Sequence, residues 1–274
     1  MQTKKELYLS VVVPCYNEEE NLKKGVLNQM ATYLNKQKYP YEVIISDDGS
    51  TDRSVELAKM FAKKHSHFRV VENEHGGKPF AVKSGLERAK GKVVLFADMD
   101  QSTSISEFGK LLPFFKKGYP VVIGSRGRKR EGSSLFRLMA SNVFMLVRKS
   151  LVLSNIADTQ CGFKAFERKV ALELFNQLQV FREKEQVKGW RVSAYDVELL
   201  FIARKRGYKI AETVVKWRDE DASKGKEREF VKESKEMFKE ILRVRLNDLR
   251  GLYCSPSKDR KLPRHAKRDA EIHN

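Results

Sequence analysis

Two carboxylates with one residue between them, Asp98 and Asp100, follow the apolar run at residues 93–97. Two negative charges at the end of an interior strand destabilise a fold unless a positive group lies between them. A divalent cation meets this need, because Mg²⁺ and Mn²⁺ prefer hard oxygen ligands and also hold substrate phosphates. A solvated acidic turn before a helix is the alternative. The spacing alone therefore leaves two hypotheses, a metal site or an ordinary turn.

Two further turns with acidic residues favour the metal site. Asn17 and Glu18 follow the first apolar run, and Asp47 and Asp48 follow the second. Because the carboxyl ends of parallel strands share one edge of an open sheet, these turns should lie beside Asp98 and Asp100. The segment GGKPFAVKSG adds a lysine near the same edge. This pattern predicts a site for a nucleotide and its diphosphate.

The segments that must position these residues alternate between apolar strands and helices. Strands are predicted in LYLSVVV, YEVIISD, FRVVENE, KVVLFADMD and YPVVIGSR. Strands this rich in Val, Ile and Leu are typical of an open α/β sheet, mainly parallel, with helices on its faces. We expect one folded domain over residues 1–250 and a polar, disordered tail over residues 251–274.

The net charge of +18 on 274 residues indicates an anionic partner, which could be nucleic acid, anionic lipid or a phosphorylated substrate. No stretch of about 18 uncharged apolar residues occurs, and the N-terminal residues lack a signal-peptide layout, so we expect no spanning helix. Cys15, Cys161 and Cys254 are far apart and odd in number. They fit reduced thiols in a cytoplasmic protein.

A nucleic-acid-binding protein is the alternative from a different class. It would need a concentrated basic face with interleaved aromatic residues, or a recognisable reader motif. The basic residues are instead spread along the sequence, and three acidic turns would repel a phosphate backbone. We therefore expect no nucleic-acid partner.

Several motifs together resemble those of a known enzyme family. The segments VVVPCYNEEENL, DDGSTD, GGKPFAVKSGLERAKG and FADMD resemble, in order, the motifs of family 2 inverting glycosyltransferases, which have the GT-A (Rossmann-like) fold. DTQCGFKAF and YDVELLFIARKRGYKIAE resemble the polyprenyl-phosphate branch, and within it the dolichyl-phosphate β-glucosyltransferases. The resemblance implies transfer of glucose from UDP-glucose to a polyprenyl or dolichyl phosphate, with Mg²⁺ or Mn²⁺ as cofactor. A GDP-mannose-dependent polyprenyl-phosphate mannosyltransferase remains the alternative.

The resemblance also implies roles on the donor side. The nucleoside pocket would be lined by Pro14, Tyr16, Asn17 and Glu18. Asp48 would reach the base or the ribose, and Lys78 would lie near the diphosphate. Asp98 would face the ribose and the metal, and Asp100 would bind the metal directly. Gln101 stands one position earlier than the glutamine of mannosyl relatives, which puts a glutamine metal ligand in doubt.

On the acceptor side, the resemblance implies that the phosphate is held by Arg126, Arg137 and Ser141. Asp158 would contact the acceptor or act as a helper base, with a turn role as the alternative. Asp196 and Glu198 begin a predicted helix, where carboxylates are favoured in any case, and either could face the active site. A phosphate acceptor is already ionised near neutral pH, so a single inverting displacement needs no strong general base. The segment with Trp217, Arg218, Ser223 and Lys224 resembles one that closes over the donor.

Two amphipathic segments, at residues 133–153 and 229–250, either pack on the core or lay their basic rims on a membrane. The lipid tail of the acceptor must stay in the bilayer while its phosphate enters the site. We therefore expect a cytoplasmic enzyme that binds the membrane surface peripherally. Eukaryotic members of the glucosyl branch usually carry an N-terminal anchor, so a membrane-anchoring partner is the alternative to peripheral binding.

Overall fold

The fold is built on one sheet. The computed structural model describes residues 6–127, 156–182, 195–218 and 230–253. Within these residues the strands are β1 Leu9–Cys15, β2 Tyr41–Asp47, β3 Phe68–Glu72, β4 Val93–Phe96, β5 Val121–Ser125, β6 Lys164–Glu167 and β7 Ile210–Val214. They lie in the order β3-β2-β1-β4-β6-β5-β7. The five strands predicted from the sequence are confirmed, and β6 and β7 are additional.

The direction of the strands sets the position of the ligand crevice. Neighbouring strands are parallel except at β6, which runs antiparallel to both β4 and β5. The chain proceeds outward through β2 and β3 on one side of β1, whereas β4 lies on the other side. Such a reversal between β1 and β4 opens a crevice outside the carboxyl ends of the strands. The mainly parallel α/β sheet is therefore confirmed.

Helices cover both faces of the sheet, because strand side chains alternate between two cores. Val11 and Val13 of β1 belong to one buried cluster and Val12 to the other. The helices in the described residues are α1 Glu19–Lys23, α2 Val26–Leu34, α3 Ser54–Lys64, α4 Lys78–Arg88, α5 Phe108–Lys116, α6 Arg168–Phe175, α7 Tyr195–Lys205 and α8 Phe230–Leu249. Helices α2, α3 and α5 pack on the face of Val11, and α4, α6, α7 and α8 pack on the face of Val12.

The last helix is attached firmly to the domain. The predicted helix at 229–250 is confirmed as α8, and its Ile241 and Val244 are buried. Tyr253, beyond the predicted domain boundary, is 1% exposed and donates its hydroxyl hydrogen bond to Glu198 Oε1 at 2.8 Å. The folded domain thus includes Tyr253. The predicted amphipathic segment at 133–153 and the rest of the tail lie outside the described residues.

None of the helices in the described ranges combines the length and the apolar character that crossing a membrane requires.

Candidate active site

The turn after β1 is fixed to the turn after β2. Asn17 has a left-handed backbone (φ 53°), a conformation that Asn adopts more readily than most residues. Its Oδ1 accepts a hydrogen bond from the Thr51 N–H at 2.9 Å, and its own N–H donates to Ser50 Oγ at 3.0 Å. The Glu18 carboxylate accepts a hydrogen bond from a side-chain amide of α1 at 2.6 Å. These contacts leave Tyr16 on the outside of the turn, 43% exposed.

The acidic pair after β2 is buried, and its carboxylates bind neighbouring protein groups. Asp47, 2% exposed, accepts hydrogen bonds from two backbone N–H groups of its own turn, at 2.9 and 3.0 Å. Asp48, 3% exposed, accepts from the Gly76 and Gly77 N–H groups at 3.0 and 2.9 Å. Its Oδ2 also lies 3.0 Å from His75 Nδ1. Asp47 therefore shapes a turn, and Asp48 holds the loop that leads into α4.

The end of β4 joins the N-terminus of α4 through an ion pair. Lys78 Nζ lies 2.5 Å from Asp98 Oδ1. Burial alone would lower the pKa of Lys78, but the negative charges of Asp98, Asp196 and Asp100 outweigh it and raise the pKa above its usual value. Lys78 is therefore cationic throughout the neutral range, at the crevice between β1 and β4.

The loop after Asp98 orients Asp100 and uses the hydrogen-bonding groups of the Gln101 side chain. Asp100 Oδ1 accepts a hydrogen bond from the Ser102 N–H at 2.8 Å. Gln101 donates from Nε2 to the Asp98 carbonyl at 2.9 Å and accepts at Oε1 from the Ile105 N–H at 3.0 Å. Both polar ends of this buried side chain are thus used within the loop. This arrangement agrees with the doubt about a glutamine metal ligand.

Gly162, in the loop that leads into β6, makes room for the carboxylate of Asp98. A Cβ atom placed on Gly162 would lie 2.0 Å from Asp98 Oδ2, far inside van der Waals contact. Gly162 was not predicted from the sequence, since its neighbour Asp98 is distant in the chain. Only a residue without a side chain permits the observed position of this carboxylate.

Gly162→Ala is expected to reduce the sugar transfer that the motifs imply about a hundredfold, because displacement of an active-site group by about 1 Å can have this effect. Asp98 can move its carboxylate away from the new methyl group, so the domain should still fold. Steady-state kinetics and thermal unfolding measure the two effects. Gly109→Ala in α5 is the matched control, since its Cβ would lie 3.5 Å from the nearest atom, Tyr33 Oη. Wild-type activity in Gly162→Ala would show that the position of Asp98 is unimportant.

The residues present fit a divalent cation that is shared with a substrate. Within the described ranges, no group of three or more His, Cys, Asp and Glu side chains could hold a metal ion. Asp98 and Asp100 supply two carboxylates after β4, and the charges of both act on Lys78. Mg²⁺ is commonly bound by one or two carboxylates together with substrate phosphates, and Mn²⁺ accepts the same oxygen ligands.

Arg126, directly after β5, forms a bidentate ion pair with Asp158. The two bonds join Arg126 Nε to Oδ2 at 2.7 Å and Nη2 to Oδ1 at 2.9 Å. The guanidinium also lies over the Trp217 ring, 5.8 Å from its centroid. Burial would raise the pKa of Asp158, but the hydrogen bonds and charge of Arg126 hold it well below its usual range. Such a carboxylate is a weak base, which favours a positioning role for Asp158 over that of helper base.

The two carboxylates of the predicted helix α7 face different surroundings. Asp196 Oδ1 lies 2.9 Å from Nζ of Lys164, a lysine that is 1% exposed, and the charge of Asp196 also acts on Lys78. Glu198 faces away and accepts from the Tyr253 hydroxyl and the Gln179 N–H. Of the two, Asp196 is the one whose charge reaches Lys78. Lys164 was missed, although a lysine inside an apolar strand segment could have indicated a buried ion pair.

The remaining predicted residues are partly described. Pro14 lies within β1, opposite Ser46 of β2. The backbone of Trp217 pairs with Thr103, and the Arg218 N–H donates to the Ser102 carbonyl, so this segment lies along the loop after Asp100. Outside the described residues lie Arg137, Ser141, Ser223 and Lys224.

Comparisons with known proteins agree with this geometry. Among solved structures of the same fold is glucosyl-3-phosphoglycerate synthase from Mycobacterium tuberculosis, with TM-score 0.61 and 19% identity over 87% of this chain and 80% of that chain. Mannosyl-3-phosphoglycerate synthase from Rubrobacter xylanophilus has TM-score 0.61 and 17% identity over 88% of this chain and 75% of that chain. Both likenesses support the GT-A architecture.

The sequence comparisons are more specific. Residues 10–175 match the family model described as Glycosyl transferase family 2. The dolichyl-phosphate beta-glucosyltransferase of Drosophila melanogaster is 36% identical over 80% of this chain and 69% of its own length. The protein of the same name from Dictyostelium discoideum is 33% identical over 90% of this chain and 76% of its own length. That from Homo sapiens is 34% identical over 79% of this chain and 69% of its own length. The chain is therefore a glycosyltransferase of family 2 and belongs to the family of the dolichyl-phosphate beta-glucosyltransferases.

Proposed function

We propose that the chain transfers glucose from UDP-glucose to a dolichyl-type polyprenyl phosphate, with inversion, at the cytoplasmic face of a membrane. The names of its relatives support glucose as the transferred sugar and dolichyl phosphate as the acceptor. The observation that carries the proposal is the cluster of Asp98, Asp100 and Lys78 at the crevice between β1 and β4. Together with a divalent cation, such a cluster would suit the charge of a nucleoside diphosphate. The buried free thiols of Cys15 and Cys161 are in keeping with a cytoplasmic setting.

On the donor side, we assign the nucleoside to the surface formed by the turns after β1 and β2, with Pro14, Tyr16, Asn17, Glu18 and Asp48. Lys78 would bind the diphosphate, because its cationic Nζ lies at that end of the crevice, beside Asp98. Asp98 and Asp100 would hold a divalent cation, Mg²⁺ or Mn²⁺. When bound, the cation would neutralise charge on the departing nucleoside diphosphate. A protein of the same fold was solved with Mn²⁺ and UDP, which supports these ligand classes.

On the acceptor side, the nucleophile is an oxygen of the lipid phosphate, which is ionised near neutral pH. The attack on the anomeric carbon therefore needs positioning more than proton removal. Arg126 suits phosphate binding, because its pair with Asp158 fixes the guanidinium plane while Nη1 lies outside that pair. Asp196, paired with Lys164, would line the same site, since its charge acts on both Lys78 and Arg126.

A donor screen tests the proposed sugar against its closest alternative. The full chain is incubated with a short polyprenyl phosphate, Mg²⁺, and either UDP-glucose or GDP-mannose. We expect a glycolipid from UDP-glucose and little or none from GDP-mannose. Preferential use of GDP-mannose would replace the proposal with a polyprenyl-phosphate mannosyltransferase.

The outer face of α8 supports membrane docking. Phe238, Leu242, Leu246 and Leu249 lie three or four residues apart and are 43, 39, 51 and 71% exposed, so they share one face of the helix. Lysine and arginine residues accompany this stripe, as the sequence of α8 shows. An apolar stripe with basic flanks suits shallow insertion into an anionic lipid surface. We propose this surface as the place where the enzyme meets its lipid acceptor, without requiring a membrane-anchoring partner.

Membrane binding is expected to depend on salt and on lipid charge. At about 1 M salt the Debye length falls to roughly 3 Å, so much of the protein should leave anionic vesicles. Neutral vesicles should bind it weakly at any salt. Co-sedimentation with vesicles measures both effects.

A double variant separates docking from catalysis. Leu246→Glu with Leu249→Glu should reduce vesicle binding and turnover of a long-chain acceptor, while UDP binding stays unchanged. Met60→Glu is the matched control, because Met60 is 53% exposed on α3, on the other side of the sheet. Binding that ignores salt, lipid charge and these substitutions would refute docking through α8, and absence of binding would indicate a partner that recruits the enzyme.

A further inference from the structure

Tyr16 and His75 form an exposed stack of two rings at the edge of the crevice. Their ring centroids are 4.5 Å apart, with an interplanar angle of 26°. Tyr16 is 43% exposed, and the His75 side chain is 59% exposed. Flat aromatic rings in solvent offer a surface on which another flat ring can stack. Tyr16 is predicted from the sequence to line the nucleoside pocket, whereas His75 has no predicted role.

The orientation of the His75 ring is fixed by contacts of one ring edge with Asp48. Its Nδ1 lies 3.0 Å from Asp48 Oδ2 and 3.0 Å from the Asp48 carbonyl oxygen. A backbone carbonyl can only accept, so Nδ1 carries the hydrogen in this arrangement. Asp48 itself is held by the Gly76 and Gly77 N–H groups. The imidazole thus has one face against Tyr16 and one edge bound to Asp48, which makes it a rigid platform.

The platform lies close to the group that would bind the diphosphate. His75 and Lys78 are three residues apart, so their Cα atoms can be separated by no more than about 11 Å. The intervening glycines are bound to Asp48 at the end of β2, whereas Lys78 Nζ is bound to Asp98 at the end of β4. One short segment therefore connects the Tyr16 stack with the charged end of the crevice.

We propose that His75 is a nucleobase-binding residue, whose ring stacks on the base of the nucleotide-sugar donor. Asp48 is then a positioning residue that acts through the His75 ring. This inference rests on the proposed function, because it takes a nucleotide sugar to be the donor. Every base has an aromatic face, so stacking supplies affinity for the nucleotide more than choice between bases.

The test is the binding of UDP, with Mg²⁺, to the full chain and its variants by titration calorimetry. His75→Ala should weaken UDP binding roughly ten- to a hundredfold. Pyrophosphate lacks a base, and its binding should be unchanged. His67→Ala is the matched control, because His67 makes a similar ring contact with Tyr41, at 4.7 Å, at the opposite end of β2. This control should bind UDP like the wild type.

Two conservative variants separate stacking from support of the turn. His75→Phe keeps a flat ring but cannot bond to Asp48, whereas His75→Asn keeps a donor but has no ring. We expect Phe to restore most of the UDP affinity and Asn to behave like Ala. Rescue by Asn alone, or equal losses for UDP and pyrophosphate, would overturn the inference. If the wild-type chain bound no nucleotide at all, the proposed function would fail, whereas unchanged UDP binding in His75→Ala would reject only this role.

Discussion

Asp100→Asn is expected to lower kcat/KM for glucosyl transfer about a thousandfold. A divalent cation contributes several kcal/mol to charge stabilisation, and each 1.36 kcal/mol changes a rate tenfold, so a loss of about 4 kcal/mol has this effect. A neutral amide is a poorer ligand for such a cation than a carboxylate. The fold should persist, because removal of one of two neighbouring negative charges relieves repulsion at the end of β4. Steady-state kinetics with UDP-glucose and Mg²⁺ measure the loss.

Glu74→Gln is the matched control for the Asp100 experiment. Glu74 is an exposed carboxylate between β3 and α4, and its replacement removes the same charge. We expect near wild-type activity from this control. Asp98→Asn should in addition weaken donor binding, since it removes a carboxylate that would hold the cation and face the ribose. If Asp100→Asn kept most of its activity in Mg²⁺ buffer, the assignment of Asp100 to a metal would be wrong.

Arg126→Ala is expected to affect both stability and acceptor use. Removal of one partner of a buried ion pair typically costs about 3–5 kcal/mol in the free energy of unfolding, because the other charge stays buried and uncompensated. The KM for polyprenyl phosphate should rise about ten- to a hundredfold, since a charge-assisted hydrogen bond is worth about 1.5–3 kcal/mol. The KM for UDP-glucose should change little. Chemical denaturation and initial rates provide the two measurements.

The stability effect of Arg126→Ala should depend on pH. The pKa of Asp158 is lowered in the folded protein, so the pair stabilises the fold above the pKa of the unfolded chain, about 3.9. This stabilisation is lost progressively as the pH falls below about 4 toward the folded-state pKa. The difference between wild type and variant should therefore be large at neutral pH and should shrink in acid.

Arg53→Ala is the matched control for the Arg126 experiment. Arg53 binds Glu56 with the same bidentate geometry, at 3.0 Å for each hydrogen bond, but the two side chains are 58 and 54% exposed. We expect a small change in stability that added salt removes. Equal effects of Arg126→Ala on the two substrates would argue against its acceptor role, and a stability loss no larger than that of Arg53→Ala would contradict the buried pair.

The sequence predicted the part of the fold that depends on local pattern. Apolar runs of Val, Ile and Leu identify β1 to β5, and the parallel arrangement of β1, β2 and β4 brings the turns after them together. The strand β6 escaped prediction because its four residues include Lys164 and Glu167. Lys164 is tolerated in the interior since Asp196 from a distant helix neutralises it. No local pattern reveals such a partner.

The candidate site was predictable in its location but not in its detailed contacts. Asp47 and Asp48 look equivalent in sequence, yet one shapes its own turn and the other holds the loop of His75. The space that Gly162 leaves for Asp98 arises from residues 64 positions apart, 98 and 162. These contacts depend on how loops from different strands meet, which the three-dimensional fold alone determines.

Product analysis with the full chain, UDP-glucose, dolichyl phosphate and Mg²⁺ tests the central claim most directly. Nuclear magnetic resonance of the purified lipid product reports both the sugar and its anomeric configuration. We predict a β-linked glucosyl phosphate lipid, with release of UDP and loss of product when the divalent cation is chelated. An α-linked product, or release of free glucose without any glucosylated lipid, would contradict it.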